Sequence, residues 1–473
     1  MAEDYDLVIL GGGTGGYVAA IKAAQEGLKT AIVEQGKLGG TCLHKGCIPS
    51  KALLRSAEVL RTAQEASEFG VNTSGVSFDF SKAQVRKQKV VDQLYKGVQF
   101  LMKRGDIDVY QGKGRLLGPS IFSPTPGTIS VERENEENVM LIGKNVIVAT
   151  GSSPRTLPGF TIDGTHVLTS DHALSLEYLP ASILIVGGGV IGVEWASMLV
   201  DFGVDVTIVE YGERILPTED QDIAQEAAKQ LKARGIKIVT NVDLQSDQLT
   251  KEENSVQVTG LINGEQTSFK AEKLLVCVGR AGNTTDIGLQ NTDIQEEHGF
   301  IQVNEFGQTK ESHIYAIGDV VGGMQLAHVA SHEGLLAVDH ILGNDPVPID
   351  PETVPSCIYS FPEIASVGLT EQQAKEKGLS VKVGTFSFQA IGKAIVQGDT
   401  NGFVKLIANQ ENDDLIGVHI IGPHATELIS EAALAKVLDA ASWEVARTIH
   451  PHPTLSEVLG EAALAANGKA IHG

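Results

Sequence analysis

Basic residues are in short supply. The 473-residue chain has 37 Lys and Arg against 59 Asp and Glu, a formal charge of −22, whereas phosphate backbones and anionic bilayers are gripped by clustered cations. Nucleic acid and membrane surfaces are therefore excluded as principal partners. Cysteine is scarcer still: four residues cannot staple a secreted chain of this length, and two of them, Cys277 and Cys357, stand alone. No uninterrupted apolar stretch reaches the ~18–20 residues that a bilayer span requires. The opening Glu3-Asp4-Tyr5-Asp6 is acidic where a secretory leader is basic. These absences point to the cytoplasm. Disorder is excluded as well, because 42% apolar residues over about three domains' length supply a core for each.

Glycine, by contrast, is plentiful, with 52 residues, and two clusters of it repeat one unit. Residues 6–34 read as an apolar strand at Leu7 to Leu10, the turn Gly11-Gly12-Gly13-Thr14-Gly15-Gly16, a helix through Ala19, Ala20 and Ala23, and a second strand ending at Glu34. Residues 183–210 repeat the order: Ile183 to Val186, the turn Gly187-Gly188-Gly189-Val190-Ile191-Gly192, a helix through Trp195 and Met198, and a strand ending at Glu210. In both, the acid follows the first glycine by 23 positions, and the copies are offset by 176. The spacing has a mechanical basis: the first glycine makes the tight turn, the second lets a pyrophosphate approach the backbone, and the third lets helix and strand pack closely. Phosphates then lie on free N–H groups at the helix start, and the terminal carboxylate bonds ribose hydroxyls while repelling a 2′-phosphate. One such motif is weak. Two, each in a strand–turn–helix–strand context with the acid in register, imply two dinucleotides, or one dinucleotide plus a prosthetic flavin.

Between and after the repeats the pattern varies. A helix is predicted over residues 81–104, and two buried strands run into glycine turns, Asn145 to Gly151 and Leu274 to Arg280. Beyond about residue 346, strands around 355–361, 382–388, 402–409 and 414–421 alternate with helices near 370–377, 424–440 and 455–466. The expected fold class is α/β: two Rossmann-like dinucleotide-binding domains plus a C-terminal α+β domain without a nucleotide fingerprint.

Directly after the first unit comes Gly39-Gly40-Thr41-Cys42-Leu43-His44-Lys45-Gly46-Cys47-Ile48-Pro49-Ser50-Lys51. Five positions apart on an irregular helix start, the two sulfurs fall within reach of a disulfide, whose Cα separation is about 5.5–6 Å. A close thiol pair in a reducing compartment means redox chemistry or a metal; zinc wants four ligands, and no second cysteine pair supplies them. Near the C-terminus, His450-Pro451-His452-Pro453-Thr454-Leu455-Ser456-Glu457 sets a proline-stiffened histidine pair before a helix start. A carboxylate beside a histidine fixes its tautomer and raises its pKa, as a base for a thiol proton requires. Read alone, such histidines are ordinary exposed turn residues.

Taken in order, the first fingerprint, the cysteine run, the second fingerprint, Ala316-Ile317-Gly318-Asp319 and the closing His-Pro-Thr-Leu-Ser-Glu resemble the pyridine nucleotide–disulfide oxidoreductases over essentially the whole chain. Within that family the chain looks closest to the enzymes that reoxidise protein-bound dihydrolipoamide in bacterial branched-chain 2-oxo acid dehydrogenase complexes. The resemblance implies an FAD-binding domain at 1–155, an NAD-binding domain at 156–274, a central domain at 275–345 that completes the FAD site, and a dimerisation domain at 346–473. It implies that Gly11, Gly13 and Gly16 hold the FAD pyrophosphate, that Glu34 holds its adenosine ribose, and that Thr150 and Gly151 lie beside its adenine half. Asp319 would reach the ribityl or pyrophosphate region and Ala327 the isoalloxazine. Lys51, paired with Glu194, would stand beside the reactive flavin nitrogen. Gly187, Gly189, Gly192 and Glu210 would bind NAD, with Glu210 disfavouring NADP despite the nearby Arg214. Gly279-Arg280 matches the start of a family GRxPN run in which Gly282 here replaces proline, and Val329 replaces a common lysine.

By the same resemblance, Cys42 would exchange with substrate, Cys47 would face the flavin, and His452, held by Glu457, would act as acid–base from the partner subunit of a homodimer. The implied partners are the lipoyl domain and the peripheral-subunit-binding domain of a dihydrolipoyl transacylase; no resident metal is expected. The rivals are an NAD(P)H-dependent disulfide reductase, a mercuric reductase, or a non-catalytic scaffold of the complex. No vicinal cysteine pair follows Cys357 to support the mercuric reading, and Glu210 opposes an NADP-dependent one.

Overall fold

The structure, a computed structural model, describes residues 2–119, 126–134 and 136–472. It divides into two compact units, one of Met1–Leu53, Ser81–Arg155 and Gly279–Ile349, the other of Leu54–Phe80, Thr156–Val278 and Asp350–Gly473.

In the first unit, alternation along one strand sets the layers. Leu7 and Ile9 pack on Ala19, Ala20 and Ala23 of the helix Thr14–Gln25, while Val8 and Leu10 pack on Leu116, Ile129 and Ile314. A strand covered on both faces reads as a continuous apolar run and belongs inside a parallel sheet. Accordingly, Ala2–Leu10 lies between Thr30–Glu34 and Val139–Val148, with Asp108–Gln111 beyond the former and Ile314–Ala316 beside the latter, all parallel. Thr128–Glu132 and Lys113–Leu117 extend the sheet antiparallel. The sequence predicts the first strand from Leu7. It begins at Ala2, because residues 2–5 pair with Met140 to Gly143 in spite of their acidic side chains. The predicted helix over 81–104 is present as Phe80–Arg104.

The second unit repeats the parallel arrangement, in the order Lys237–Val239, Asp205–Val209, Ser182–Val186, Lys273–Val276, Val167–Thr169. Val256, Val258 and Phe269 of a three-stranded antiparallel sheet cover Leu184 and Val186. Further along, five antiparallel strands run in the order Ser356–Ile358, Glu363–Gly368, Leu415–Gly422, Phe403–Asn409, Val381–Ser387. Their Val404, Leu406, Val418 and Ile420 pack on Ile429, Val458, Leu459 and Ala462 of the helices Ala425–Val437 and Glu457–Ala465. Only four of these strands are predicted. Glu363–Gly368 follows Pro362 and ends on glycine, turn signals that hide a strand paired with Leu415–Gly422. The short helices Gly392–Gln397 and Ser442–Arg447 are further additions. The expected α/β class, with two dinucleotide-binding folds and a C-terminal α+β domain, is present. Among the described residues no helix is long and apolar enough to cross a membrane.

Candidate active site

The three glycines of each turn are required for different reasons. Gly11 has φ +112°, and a Cβ there would lie 2.2 Å from the Ala149 carbonyl oxygen; a Cβ on Gly16 would lie 1.9 Å from the Gly11 oxygen. Gly187, at φ +106°, and Gly192 repeat this, at 2.3 Å from the Cys277 oxygen and 2.1 Å from the Gly187 oxygen. The fold itself therefore demands the first and third glycines. The middle ones are different: a Cβ on Gly13 would meet nothing closer than 3.9 Å, and one on Gly189 nothing within 4 Å. Both have ordinary φ, −69° and −75°. These open cradles stand at the starts of Thr14–Gln25 and Val190–Asp201, where no side chain caps the helix, and they suit a phosphate lying on free N–H groups.

Backbone groups aim each acid. Glu34 accepts the N–H of Gly12 at 2.7 Å and of Gly36 at 2.6 Å; Glu210 accepts those of Gly188 at 2.6 Å and Gly212 at 2.7 Å. A carboxylate offers about four lone-pair sites, so each acid keeps capacity for ribose hydroxyls. Each turn is also braced from outside. Leu38 abuts Gly12, and Gly39 N–H bonds the Gly12 carbonyl at 2.7 Å; Ile215 abuts Gly188, and Leu216 N–H bonds the Gly188 carbonyl at 2.8 Å. Arg214 is turned back on its own loop, donating to the Pro217 and Glu219 carbonyls at 2.9 and 3.0 Å. Both fingerprints thus fit a dinucleotide whose adenosine ribose carries no 2′-phosphate.

Gly40, at φ +58°, brings the cysteine run onto the first turn, since a Cβ there would lie 2.6 Å from the Gly13 Cα. This close approach sets the helix Gly40–Lys45, with Cys42, beside the first cradle. Cys47 opens the helix Cys47–Glu65, where the macrodipole favours negative charge. Both sulfurs are thiols here. The Cys42 pKa is raised, first by its hydrogen bond with Cys47 and then by burial, while the Lys51 charge and the Thr14 hydroxyl oppose the rise. The pair therefore resists losing a second proton. His44 is structural, its Nε2 hydrogen-bonded to the Leu38 carbonyl at 2.9 Å and its ring edge-on to Tyr95. Burial pushes the Cys277 thiol up to about 12, and Cys357 bonds the Thr426 carbonyl at 3.8 Å.

Thr150 and Gly151 are latched to the segment that contains Gly279. Thr150 Oγ1 donates to the Asn283 carbonyl at 2.8 Å, and Asn283 returns Nδ2–H to the Thr150 carbonyl and N–H to the Gly151 carbonyl, both at 2.9 Å. The Gly279 carbonyl accepts Arg155 N–H at 2.9 Å. Asp319 accepts the Ser152 hydroxyl, which in turn accepts Arg280 Nε at 2.6 Å; Arg280 also donates to the Ser152 carbonyl at 2.7 Å. Arg280 is thus a structural companion of Asp319. A Cβ at Gly282 would lie 2.5 Å from the Gly299 oxygen, so this backbone leaves no room for a proline there. Ala327 opens the helix Ala327–Ile341, which packs closely on Thr14–Gln25: a Cβ on Gly334 would lie 2.7 Å from the Gly15 oxygen. Val329 is buried. Glu333 accepts Gly318 N–H at 2.6 Å, and burial raises its carboxyl pKa. The sequence reading has no place for Ser152, Asn283 or Glu333; the glycine at 282 is the one signal of a close backbone approach in that segment.

In the second unit, Glu194 is 7% exposed and accepts Tyr359 N–H at 2.9 Å, so it is not an ordinary surface charge. The helix Glu457–Ala465 approaches the strand Val381–Ser387 at Gly384, where a Cβ would lie 2.1 Å from the Ala462 oxygen. Glu457 opens that helix, accepts Thr454 N–H at 2.9 Å and is hydrogen-bonded to His452 Nδ1 at 2.9 Å. Burial pushes the Glu457 carboxyl up, but the His452 and Thr454 bonds outweigh it and leave the group below the usual range. With Nδ1 engaged and the ring 77% exposed, Nε2 is the nitrogen left for proton transfer. His450 differs: its side chain is largely buried and bonded to Glu431 at 2.7 Å, which raises its pKa.

Residues 5–334 match the pyridine nucleotide-disulphide oxidoreductases and residues 354–463 the dimerisation domain of the same family. The chain belongs to this family. It is 66% identical over 473 residues to a dihydrolipoyl dehydrogenase of Bacillus subtilis, with 100% of both chains covered. Among solved structures, LpdA from Mycobacterium tuberculosis aligns with a TM-score of 0.89 at 28% identity, covering 98% of this chain and 99% of that one. The HOCl-induced flavoprotein disulfide reductase RclA from Escherichia coli aligns at 0.85 and 30% identity, covering 97% and 99%. The expected family, oxidoreductase class and use of FAD and NAD are those of these relatives, and the two cradles with their acids fit the two cofactors.

Proposed function

We propose that the chain oxidises dihydrolipoamide, carried on a lipoyl domain, and reduces NAD to NADH, as the shared dehydrogenase component of a 2-oxo acid dehydrogenase complex. One observation carries this reading: two hydrogen-bonded thiols, Cys42 and Cys47, beside the first dinucleotide turn of a chain so similar to a dihydrolipoyl dehydrogenase. Starting from the Cys42–Cys47 disulfide, His452, aligned by Glu457, takes the proton from one substrate thiol. The thiolate attacks the Cys42 sulfur, forms a mixed disulfide and releases Cys47 as a thiolate. The second substrate thiol then passes its proton to Cys42 as its sulfur attacks the first, so that Cys42 leaves as a thiol and the substrate leaves as the lipoyl disulfide. The enzyme gains two electrons and two protons, one on His452 and one on Cys42. Such exchange depends on the ionisation of the attacking thiol and on access, which is why a base directed at the substrate matters. Lys51 balances negative charge at the pair.

In this reading Gly11, Gly13, Gly16, Glu34, Thr150, Gly151, Gly279, Asp319 and Ala327 hold FAD, with Glu194 and Lys51 as its charged neighbours, and Gly187, Gly189, Gly192 and Glu210 hold NAD. Bound there, FAD would supply a two-electron acceptor for the dithiol and a hydride donor for NAD. The enzyme works as a cytoplasmic homodimer in which His452 serves the cysteines of the partner subunit. Its net negative charge suits a basic peripheral-subunit-binding domain of the transacylase.

Cys47→Ser in the purified holoprotein is expected to abolish NADH formation from dihydrolipoamide and NAD while the yellow flavin spectrum persists. Undiminished turnover in that variant would refute the reading. A yellow, folded wild-type protein without turnover would favour a non-catalytic scaffold instead.

A further inference from the structure

A buried lysine ties the second glycine turn to the C-terminal sheet. Lys405 lies on the strand Phe403–Asn409 with its side chain 3% exposed, and its ammonium stands 2.9 Å from Asp220, 2.6 Å from Asp222 and 2.8 Å from Glu371. Burial pushes the ammonium pKa down, but the three carboxylates reverse this and leave it raised. Asp220 is buried too. It caps the helix Gln221–Ala233 by accepting Asp222 N–H at 3.0 Å, and it accepts Glu371 N–H at 3.2 Å. His419, also buried, bonds the Leu369 carbonyl at 3.0 Å and attracts Asp220 through its charge, although burial lowers its own pKa; Lys405 is the cation in hydrogen-bond contact with Asp220. A buried charge deprived of its partner is strongly destabilising, and Lys405 is the hydrogen-bonded cationic partner of Asp220.

Asp220 also ends the segment that braces the second turn. Beyond Glu210, Ile215 abuts Gly188 and Leu216 N–H bonds the Gly188 carbonyl; Glu219 N–H returns to the Leu216 carbonyl at 3.1 Å. Arg214 grips the Pro217 and Glu219 carbonyls, and the buried Glu219 side chain is hydrogen-bonded to Ser366 of the strand Glu363–Gly368. The brace is therefore fixed at one end to the glycine turn and at the other to the C-terminal sheet.

We infer that Lys405 is a positioning residue for the nucleotide of the second turn: it fixes Asp220, Asp220 fixes the brace of residues 211–219, and the brace holds Gly188 and Glu210 where pyrophosphate and ribose are received. The inference rests on the NAD reading above and adds that the C-terminal sheet sets the affinity of that site.

The test uses the full-length holoprotein and ADP-ribose, a redox-inert probe that carries the pyrophosphate and the adenosine ribose. Lys405→Met should weaken ADP-ribose binding in calorimetry by roughly tenfold, about 1.4 kcal/mol. The KM for NAD should rise by the same factor. Flavin reduction by dihydrolipoamide without NAD should stay within about twofold of wild type, and Lys405→Arg should restore most of the affinity. Should the single variant fail to fold, Lys405→Met/Asp220→Asn removes the stranded charge and keeps a capping side chain; it should still bind ADP-ribose several-fold more weakly. Wild-type affinity in either folded variant overturns the inference, as does a loss of flavin reduction in equal proportion. Because ADP-ribose binding needs no dithiol donor, a wild-type protein that binds it but does not turn over dihydrolipoamide would refute the functional reading and leave this one standing.

Discussion

The two glycine turns are built alike and continue differently. In each, an acid bridges two backbone N–H groups, an apolar side chain abuts the second residue of the turn, and a following N–H bonds that residue's carbonyl. Past the brace, the first chain segment crosses Gly40 into the helix that holds Cys42, whereas the second runs through Pro217 to Asp220 and Lys405. Where the unit must only bind, buried charge secures the brace. Where, on the proposed function, it must also react, the same place holds thiols, and a contact of backbone on backbone does the securing. The repeated unit determines what is bound, and the residues grafted after it determine what is done.

The largest expected effect breaks the two turns apart chemically. His452→Gln should lower kcat with dihydrolipoamide by about 10²–10⁴-fold, the usual contribution of a positioned acid–base group, while ADP-ribose affinity at the second turn is unchanged. Glu457→Gln should act in the same direction but less, because the ring remains and only its Nδ1 partner is weakened. Steady-state rates beside calorimetry separate the effects; a parallel fall in ADP-ribose affinity would mean that His452 supports the fold and not the thiols.

Within each turn the middle glycine should behave unlike its neighbours. Gly16→Ala and Gly192→Ala force a methyl against a carbonyl oxygen and should abolish soluble expression. Gly13→Ala and Gly189→Ala meet open space and should fold, each losing only its own ligand. Gly13→Ala is expected to purify without the flavin spectrum. Gly189→Ala should keep it but raise the KM for NAD by roughly 10–200-fold, the range for one misplaced methyl-sized group in a binding site. Equal loss of folding in all four would contradict the division of roles among the glycines.

The turns, the acids, the thiol pair and the His452–Glu457 pair are legible in sequence because each belongs to a local run, where spacing maps directly onto a strand–turn–helix or a helix start. The supports around them are not. Ser152 meets Arg280 across 128 positions, Thr150 meets Asn283 across 133, and Lys405 meets Asp220 across 185. Neither periodicity nor turn chemistry pairs residues that far apart. A lysine in an apolar strand reads as solvent-facing, and Lys405 is buried only because Asp220, Asp222 and Glu371 converge on it from two other elements. Glu363–Gly368 escapes for the opposite reason: its local signals, Pro362 and Gly368, are those of a turn, and long-range pairing with Leu415–Gly422 overrides them.

The smallest expected effect asks whether acid loosens the second turn before the first. Burial pushes the Asp220 carboxyl up, but the Lys405 hydrogen bond, the charges of His419 and Lys405 and the Asp222 N–H outweigh this and leave it lowered; Glu371 is lowered by Lys375 first and then by Lys405. A carboxyl depressed in the folded state contributes stability that is fully present above its unfolded value of about 4 and is lost as pH falls through the folded one. The corresponding segment of the first turn, residues 35–39, has Lys37 as its one ionisable side chain and no carboxyl that would titrate in this range. Wild type should therefore melt higher than Lys405→Met/Asp220→Asn at pH 6, by no more than about 2–4 °C for each kcal/mol that the charged contact contributes. The gap should close as pH drops below about 4, and ADP-ribose affinity should decline over the same interval while the flavin stays bound. A gap that persists or widens in acid would mean that packing around Lys405, and not its charge, secures the second turn.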